Sequence, residues 1–333
     1  MAALLVHGNR NISCTDAPCQ WTHKTKSKDR QTVRVSQLYP TTTDYKALDR
    51  PVNSDDRQSL YSSLKRQGHQ VGFLWALAPE PPMQELLIPT FDDIIISNEF
   101  VQEVNKVGYV LSKLESSKDN IKKIAEITKG QRDNPLWLIY RKGRITASNF
   151  GSVIAAIKRK RYPESLFKTL LGEYDLSSVR AIQWGIEHET CGVAEFDKQL
   201  NVATTDAGLW LHRTGILGAS PDGLVGEDTV VEVKCLYKYR TASVSDAIEK
   251  EKDFIVQKDP SGSLTVNTSH KFYHQVQGQL YLTGRNTGQL VLWTPAETRV
   301  FEILKCPSWE ANITAMIDFY VNTLLPRILQ GKV

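Results

Sequence analysis

Three charged residues interrupt a stretch that otherwise looks like the β-structure of a core. From Gly218 to Cys235 the chain reads GASPDGLVGEDTVVEVKC. Leu224, Val225, Val230, Val231 and Val233 supply strand residues on either side of a Gly-Glu-Asp bend. Yet Asp222 occupies a Ser-Pro-Asp-Gly corner, and Glu232 and Lys234 lie in the valine-rich arm. Alternate residues of a strand share a face, so Glu232 and Lys234 point one way and Val231 and Val233 the other. Pairing the two arms brings Asp222 and Glu232 to one edge, where convergent carboxylates make a hard oxygen site suited to Mg²⁺ or Mn²⁺. A lysine beside such a site can hold or help deprotonate an attacking water and offset phosphate charge. Taken alone, Glu-Val-Lys is more simply a Lys–Glu pair on a solvent face.

Other polar groups give the pattern its weight. Along 181–200, Ile182, Ile186, Val193, Phe196 and Leu200 recur at three- and four-residue steps as an apolar helical stripe, and Glu189 falls on it. An inward carboxylate is costly unless it meets a cation or a donor, so Glu189 either joins the oxygen site or forms a buried ion pair. Upstream, RKGRITASNF sets Arg141 and Arg144 ahead of a helix with Thr146 and Ser148 near its start. Free N–H groups, the helix dipole, hydroxyls and guanidinium groups make a phosphate pocket; an ordinary capped helix is the plainer reading. Gln275 and Gln279 are four apart on another helix, on the side away from Val276 and Leu280. KRKR at 158–161 is by default a solvated run, otherwise a backbone-contacting patch or targeting signal.

The elements that must position these groups follow from periodicity. Helices are predicted over 100–117, 120–131, 141–161 (after a short loop), 178–200 and 270–284, with a closing amphipathic helix over 309–329. Strands are predicted over 209–212, in the hairpin 216–235, and in a hairpin over 289–304 bent at Pro295. A polar insertion over 240–270 separates the charged strand from the glutamine helix and contains a short helix and a small hairpin at Asp-Pro-Ser-Gly. Together these predict an α/β (α+β) fold with a mixed central sheet flanked by helices.

Composition sets outer bounds. Lysine and arginine number 41 against 37 acids, a net charge of +4 that leans only weakly towards nucleic acid. Five cysteines, odd in number and scattered, argue for a reducing compartment over a disulfide scaffold. No apolar run approaches membrane-spanning length and MAALLV is too short for a signal peptide, so the expectation is a soluble intracellular protein, nuclear if its host is eukaryotic. Residues 1–95 are uneven and polar, and are expected to form an extension to a domain over 96–333. Within that extension His7, Cys14, Cys19 and His23 could hold Zn²⁺ tetrahedrally, but their spacing matches no common finger and chance scatter is the favoured reading.

In sequence order, an arginine followed by ITAS, then WGIEHE, ASPDGL, VEVKC and HQVQ resembles the λ-exonuclease/YqaJ-type viral recombinase family of the PD-(D/E)xK nuclease superfamily, over about residues 130–305. The resemblance implies a restriction-endonuclease-like core and a metal-dependent deoxyribonuclease that digests the 5′-ended strand of duplex DNA with one or two Mg²⁺ or Mn²⁺ ions. It implies Asp222 and Glu232 as metal ligands with the Val233 backbone carbonyl, and Glu189 completing the set. By the same resemblance Lys234 positions the water, Gln275 supports it, Arg141 and Ser148 hold a phosphate near the strand end, and Ser220 adds a polar contact. Free-ended duplex DNA and a recombination protein are the implied partners, with the chain a monomer or a ring-shaped trimer. An endonuclease of the same superfamily and a catalytically silent DNA-binding protein from a mobile element are the alternatives; nothing in the residues separates DNA from RNA.

Overall fold

The computed structural model describes residues 50–66, 77, 86–172, 174 and 178–331. His7, Cys14, Cys19 and His23 lie outside the described residues. The chain divides into two units, Met1–Met83 and Gln84–Val333. In the first, helix α1 (Ser54–Arg66) has no buried residue, as its polar sequence requires. Among the described residues no helix is long and apolar enough to cross a membrane.

The second unit opens with short helices α2 (Phe91–Ile96), α3 (Asn98–Gln102), α4 (Lys106–Leu114), α5 (Lys118–Ile127) and α6 (Pro135–Arg141). The single helix expected over 100–117 is broken, because the Asn105 side chain accepts from Gly108 N at 3.0 Å and starts α4 afresh. Strand β1 (Ile145–Thr146) leads into α7 (Ala147–Lys158), followed by α8 (Glu164–Leu171) and the long α9 (Arg180–Leu200). Then come β2 (Trp210–Leu211), β3 (Leu217–Ala219), β4 (Gly223–Val225) and β5 (Thr229–Cys235). The insertion folds as α10 (Val244–Lys250) and the hairpin β6 (Val256–Lys258) and β7 (Leu264–Val266). Helix α11 (Lys271–Thr283), the hairpin β8 (Thr287–Thr294) and β9 (Glu297–Leu304), and α12 (Ala311–Phe319) close the unit. The closing helix is not continuous: a π-helical turn over Tyr320–Leu324 precedes a last short helix, Leu325–Leu329, which carries Pro326.

The fold is mixed α/β, with its strands in more than one sheet. The principal sheet has the order β4-β5-β8-β9, with β5 and β8 parallel and the other pairs antiparallel. A smaller sheet, β1-β3-β2, holds Leu217–Ala219, which sequence reasoning placed in the same hairpin as β5. The chain therefore changes sheet at Ser220–Asp222, so the Ser-Pro-Asp-Gly corner is a crossing between sheets. Helix α11 is buried along most of its length, with Val276 and Leu280 in the core beside Val230, Leu290 and Leu292. A Cβ at Gly278 would sit 2.3 Å from the Phe150 ring, so glycine lets α11 approach α7 closely.

The other face of the principal sheet packs on α9. Val231, Val233 and Val291 form a cluster with Phe196. The stripe expected on α9 faces the core only in part: Ile182, Ile186 and Leu200 are exposed, and the buried positions are Gly192 and Phe196. A Cβ at Gly192 would lie 2.4 Å from Val233 Cγ1, so this helix turn rests directly on the charged strand. Gly192→Val is expected to overpack that contact at a cost of about 1–3 kcal/mol. Thermal unfolding should then show a Tm several degrees lower; an unchanged Tm would mean α9 does not rest on β5 as described.

Candidate active site

Strand alternation places the charged residues as expected. Glu232 and Lys234 lie on the face of β5 turned towards α11, while Val231 and Val233 lie on the face turned towards α9. Glu232 is 1% exposed, and a carboxylate so deep must be met by donors. Lys234 Nζ pairs with its Oε1, Gln275 Nε2 donates to the same oxygen, and Gln279 Nε2 donates to Oε2. The i,i+4 spacing of the glutamines delivers both amides from adjacent turns of α11. The carbonyl Oε1 of Gln279 is buried and meets no donor among the described residues. On its far side, the Lys234 ammonium lies over the Phe272 ring, 5.1 Å from the centroid.

Asp222 is fixed at the sheet crossing. Its backbone N–H donates to Val231 O at 3.0 Å, and its Oδ2 accepts from Val233 N–H at 2.7 Å. The other carboxylate oxygen meets no donor among the described residues. Gln131 clamps the corner from outside, donating to Pro221 O at 2.7 Å and Ala207 O at 3.2 Å. Across a cleft of about 350 Å³ lined by Gln131, Arg132, Ile186, Asp206 and Asp222 lies Glu189, with Arg132 Nη2 3.6 Å from its Oε2.

The gathered charges act on one another. Burial, and then the neighbouring Glu232, push the Asp222 carboxyl well above its ordinary range; Glu189 adds to this while Lys234 and the Val233 N–H oppose it. Burial also raises Glu189, against Arg132, with Glu232 raising it further. Burial alone would lower Lys234, but Glu232 and Asp222 outweigh it and hold the ammonium charged. Three mutually repelling carboxylates with one free oxygen on Asp222 are a donor set whose chemistry fits a hard divalent cation. They are not closed on one point: among the described residues no three Asp, Glu, His or Cys side chains form a ready-made metal cluster. Glu232 gives its oxygens to Lys234 and the glutamines instead, so binding an ion there requires those donors to yield.

The phosphate group of residues is brought together in part. Arg141 stacks on Trp137, 3.8 Å from the ring centroid, and reaches Thr146 Oγ1 at 3.5 Å, which is 3.2 Å from Ser148 Oγ. Burial, with Arg132 nearby, lowers Arg141 to about 10, so it is still a cation at neutral pH. Thr146 stands at the N-cap of α7 but makes no capping bond, contrary to expectation, which leaves the first N–H groups of that helix to other acceptors. Ser220 Oγ accepts from Trp137 Nε1 at 2.8 Å, so the indole joins the Arg141 group to the Asp222 corner. Arg144 is not part of the group. It is 3% exposed and donates to Gly215 O and Tyr140 O at 2.6 Å each, so it braces backbone and presents no charge to a phosphate.

Sequence reasoning missed Gln131, Arg132 and Trp137, which come from the segment just before the first motif. The signal available there was Asn-Pro at 134–135, where Asn134 caps α6 and proline takes its first position. His274 precedes Gln275 in sequence but accepts from Trp309 Nε1 at 2.9 Å, and burial lowers it to about 4, so it is a neutral internal acceptor.

Asparagine at 222 would keep an acceptor for Val233 N–H and remove the charge. Metal-free Asp222→Asn protein is expected to melt about 2–4 °C higher than the parent near pH 8, the shift that ~1 kcal/mol makes in a domain of this size. The sign follows from an acid raised above its ordinary 3.8: the stability tied to the bound proton is complete below that value and lost as pH climbs through the raised one. The gain should therefore shrink towards acid pH. Mn²⁺ should raise the Tm of the parent and not of the variant. A variant that melts lower and still responds to Mn²⁺ would make Asp222 a structural acceptor alone.

Residues 136–286 match the YqaJ-like viral recombinase domain. No curated protein sequence matches the chain. Among solved structures, it is similar to the alkaline exonuclease LHK-Exo from Laribacter hongkongensis, at 24% identity and a TM-score of 0.41, over 59% of this chain and 92% of that one. It is similar to a phage-related exonuclease from Haemophilus somnus, at 14% identity and a TM-score of 0.39, over 56% of this chain and 96% of that one. The shutoff and exonuclease protein of Kaposi's sarcoma-associated herpesvirus is similar at 11% identity and a TM-score of 0.39, over 81% and 92% of the two chains. LHK-Exo has also been solved with dAMP, and the SOX protein with DNA and with RNA. Arg141, Ser148, Glu189, Asp222, Glu232, Lys234 and Gln275 all fall inside the segment of this chain that matches the YqaJ-like viral recombinase domain.

Proposed function

We propose that the protein is a metal-dependent deoxyribonuclease that hydrolyses phosphodiester bonds of linear duplex DNA from a 5′ end. One observation carries this reading: Asp222, Glu232, Lys234 and Gln275 converge at β5 with Glu189 across the cleft, inside a YqaJ-like domain. Asp222, Glu232 and the Val233 carbonyl, with Glu189, would hold Mg²⁺ or Mn²⁺, which supplies positive charge against the phosphate and acidifies water. Lys234 is held as a cation two residues from Glu232, where it can orient a water for in-line attack and offset developing charge. Gln275 keeps the Glu232 carboxylate turned towards the lysine. Arg141, Ser148 and the uncapped first turn of α7 would hold the terminal phosphate.

A second reading has its own support. Glu232 is already met by three donors, as in a purely structural ion-pair network, which favours a DNA-binding protein without turnover. Digestion of end-labelled duplex separates the two. Linear DNA is expected to be consumed with Mg²⁺ or Mn²⁺ while closed circular DNA survives. Lys234→Ala should reduce the rate by at least about 100-fold, and Arg141→Ala should abolish any preference for a 5′-phosphate. Cutting of the circle would make the protein an endonuclease. Binding without cutting in either metal would establish the second reading.

A further inference from the structure

The C-terminal end of β5 opens into a second cavity, of about 730 Å³, that the chemistry above does not use. Its floor is the chain directly after Lys234, from Cys235 to Tyr239, and its opposite wall is the segment 250–254 that follows α10. Chain connectivity alone puts Tyr237 within about 11 Å of Lys234. The volume is that of a site for a nucleotide-sized molecule.

Its lining is aromatic: Tyr237, Tyr239, Phe254 and His270 all face it. Burial lowers His270 to about 4, aided by Lys271 and His274, so its ring is flat and uncharged at neutral pH. Tyr237 is held from outside the cavity residues, with Arg240 stacked on its ring at 4.3 Å and Trp184 edge-on at 6.1 Å. The lysines that line the cavity are mostly committed to acids: Lys238 pairs with Glu251, which also accepts from Tyr239 at 3.0 Å, and Lys250 pairs with Asp246. Lys252 pairs with no carboxylate among the described residues. Flat rings with nearly balanced charge suit a nucleobase better than a cluster of phosphates, and one free lysine at the rim suits the backbone that carries it.

We propose that this cavity receives an unpaired base of the DNA strand whose backbone passes Lys234. The proposal rests on the nucleic-acid reading of the site and not on its hydrolytic step. It is tested by binding, with the full chain in EDTA so that no cleavage occurs. The probes are a short oligothymidylate carrying one 2-aminopurine, the same oligonucleotide made abasic, and free dAMP as competitor. The base-bearing strand is expected to bind about 10-fold or more tightly than the abasic one, with quenching of 2-aminopurine. Tyr237→Leu and Phe254→Leu should each reduce that discrimination, and Tyr237→Phe should restore it, while melting curves check that each variant folds. Equal binding of the two strands, or discrimination intact in both leucine variants, would overturn the proposal. Tight dAMP binding without strand discrimination would also overturn it, making the cavity a free-nucleotide site. Discrimination in a protein that never cuts DNA would leave the cavity standing and remove only the hydrolase.

Discussion

A carboxylate with 1% exposure in the middle of a sheet constrains everything packed around it, and Glu232 is that carboxylate. Its charge can persist only if donors surround it. One comes from its own strand, since Lys234 shares the face by alternation. Two come from α11, whose glutamines arrive one helical turn apart. This requires α11 to run close under β5, and the close approach of α11 to α7 at Gly278 leaves α7 close by. Helix α7 in turn follows directly on Thr146, whose hydroxyl both Arg141 and Ser148 reach. The burial of one acid thus fixes the relative placement of the lysine, the glutamines and the arginine.

The same burial sets the electrostatic balance of the cleft. Glu232 raises both Asp222 and Glu189, and Lys234 and Arg132 partly offset it. The cations present are tethered by strand geometry or reach the site from its rim, so they cannot sit among all three carboxylates at once. A small mobile divalent cation can, and oxygen ligands are its preference. In its absence a proton on Asp222 or the Lys234–Glu232 pair relieves the repulsion, as the direction of the Asp222 shift indicates. Metal, proton and lysine are therefore competing answers to one excess of negative charge.

Much of this was legible in the residues. The alternation in VVEVKC assigns Glu232 and Lys234 to one face without any coordinates, and the hairpin pairing brings Asp222 and Glu232 to one edge; that Asp222 accepts from Val233 N–H is visible only in the structure. The mixed α/β class followed from the order of helical and strand periods. What failed depends on long-range contacts. Nothing local says that β3 leaves for a separate sheet, because Leu217–Ala219 is as apolar as β4. Arg144 looks like Arg141 in sequence, and it is turned inward by Tyr140 O together with Gly215 O, the latter 71 residues away. Ile182 and Ile186 fit a buried stripe by period, but the sheet meets α9 along a different line, through Trp293 at Trp184 and His188 and through Val233 at Gly192. Gln131 carries no motif at all, since its role is defined by Pro221, 90 residues on.

Those long-range contacts have a mechanical consequence for the proposed reaction. Removing units from an end requires a fixed spacing between the group that holds the end and the group that does the chemistry, because small misplacements are expensive in rate. Here the spacing runs through a short rigid chain. The Arg141 guanidinium lies over the Trp137 ring, the indole N–H of Trp137 donates to Ser220, and Ser220 is two residues from Asp222. Gln131 bolts the same corner to the backbone from the other side, at a residue whose φ of 46° lies in the left-handed region that a glutamine rarely adopts. The corner that looked like a tight turn is thus the joint between two sheets and, on the proposed reading, the ruler between the phosphate pocket and the carboxylates. Trp137, which belongs to neither group, is the part of that ruler with no chemical role of its own.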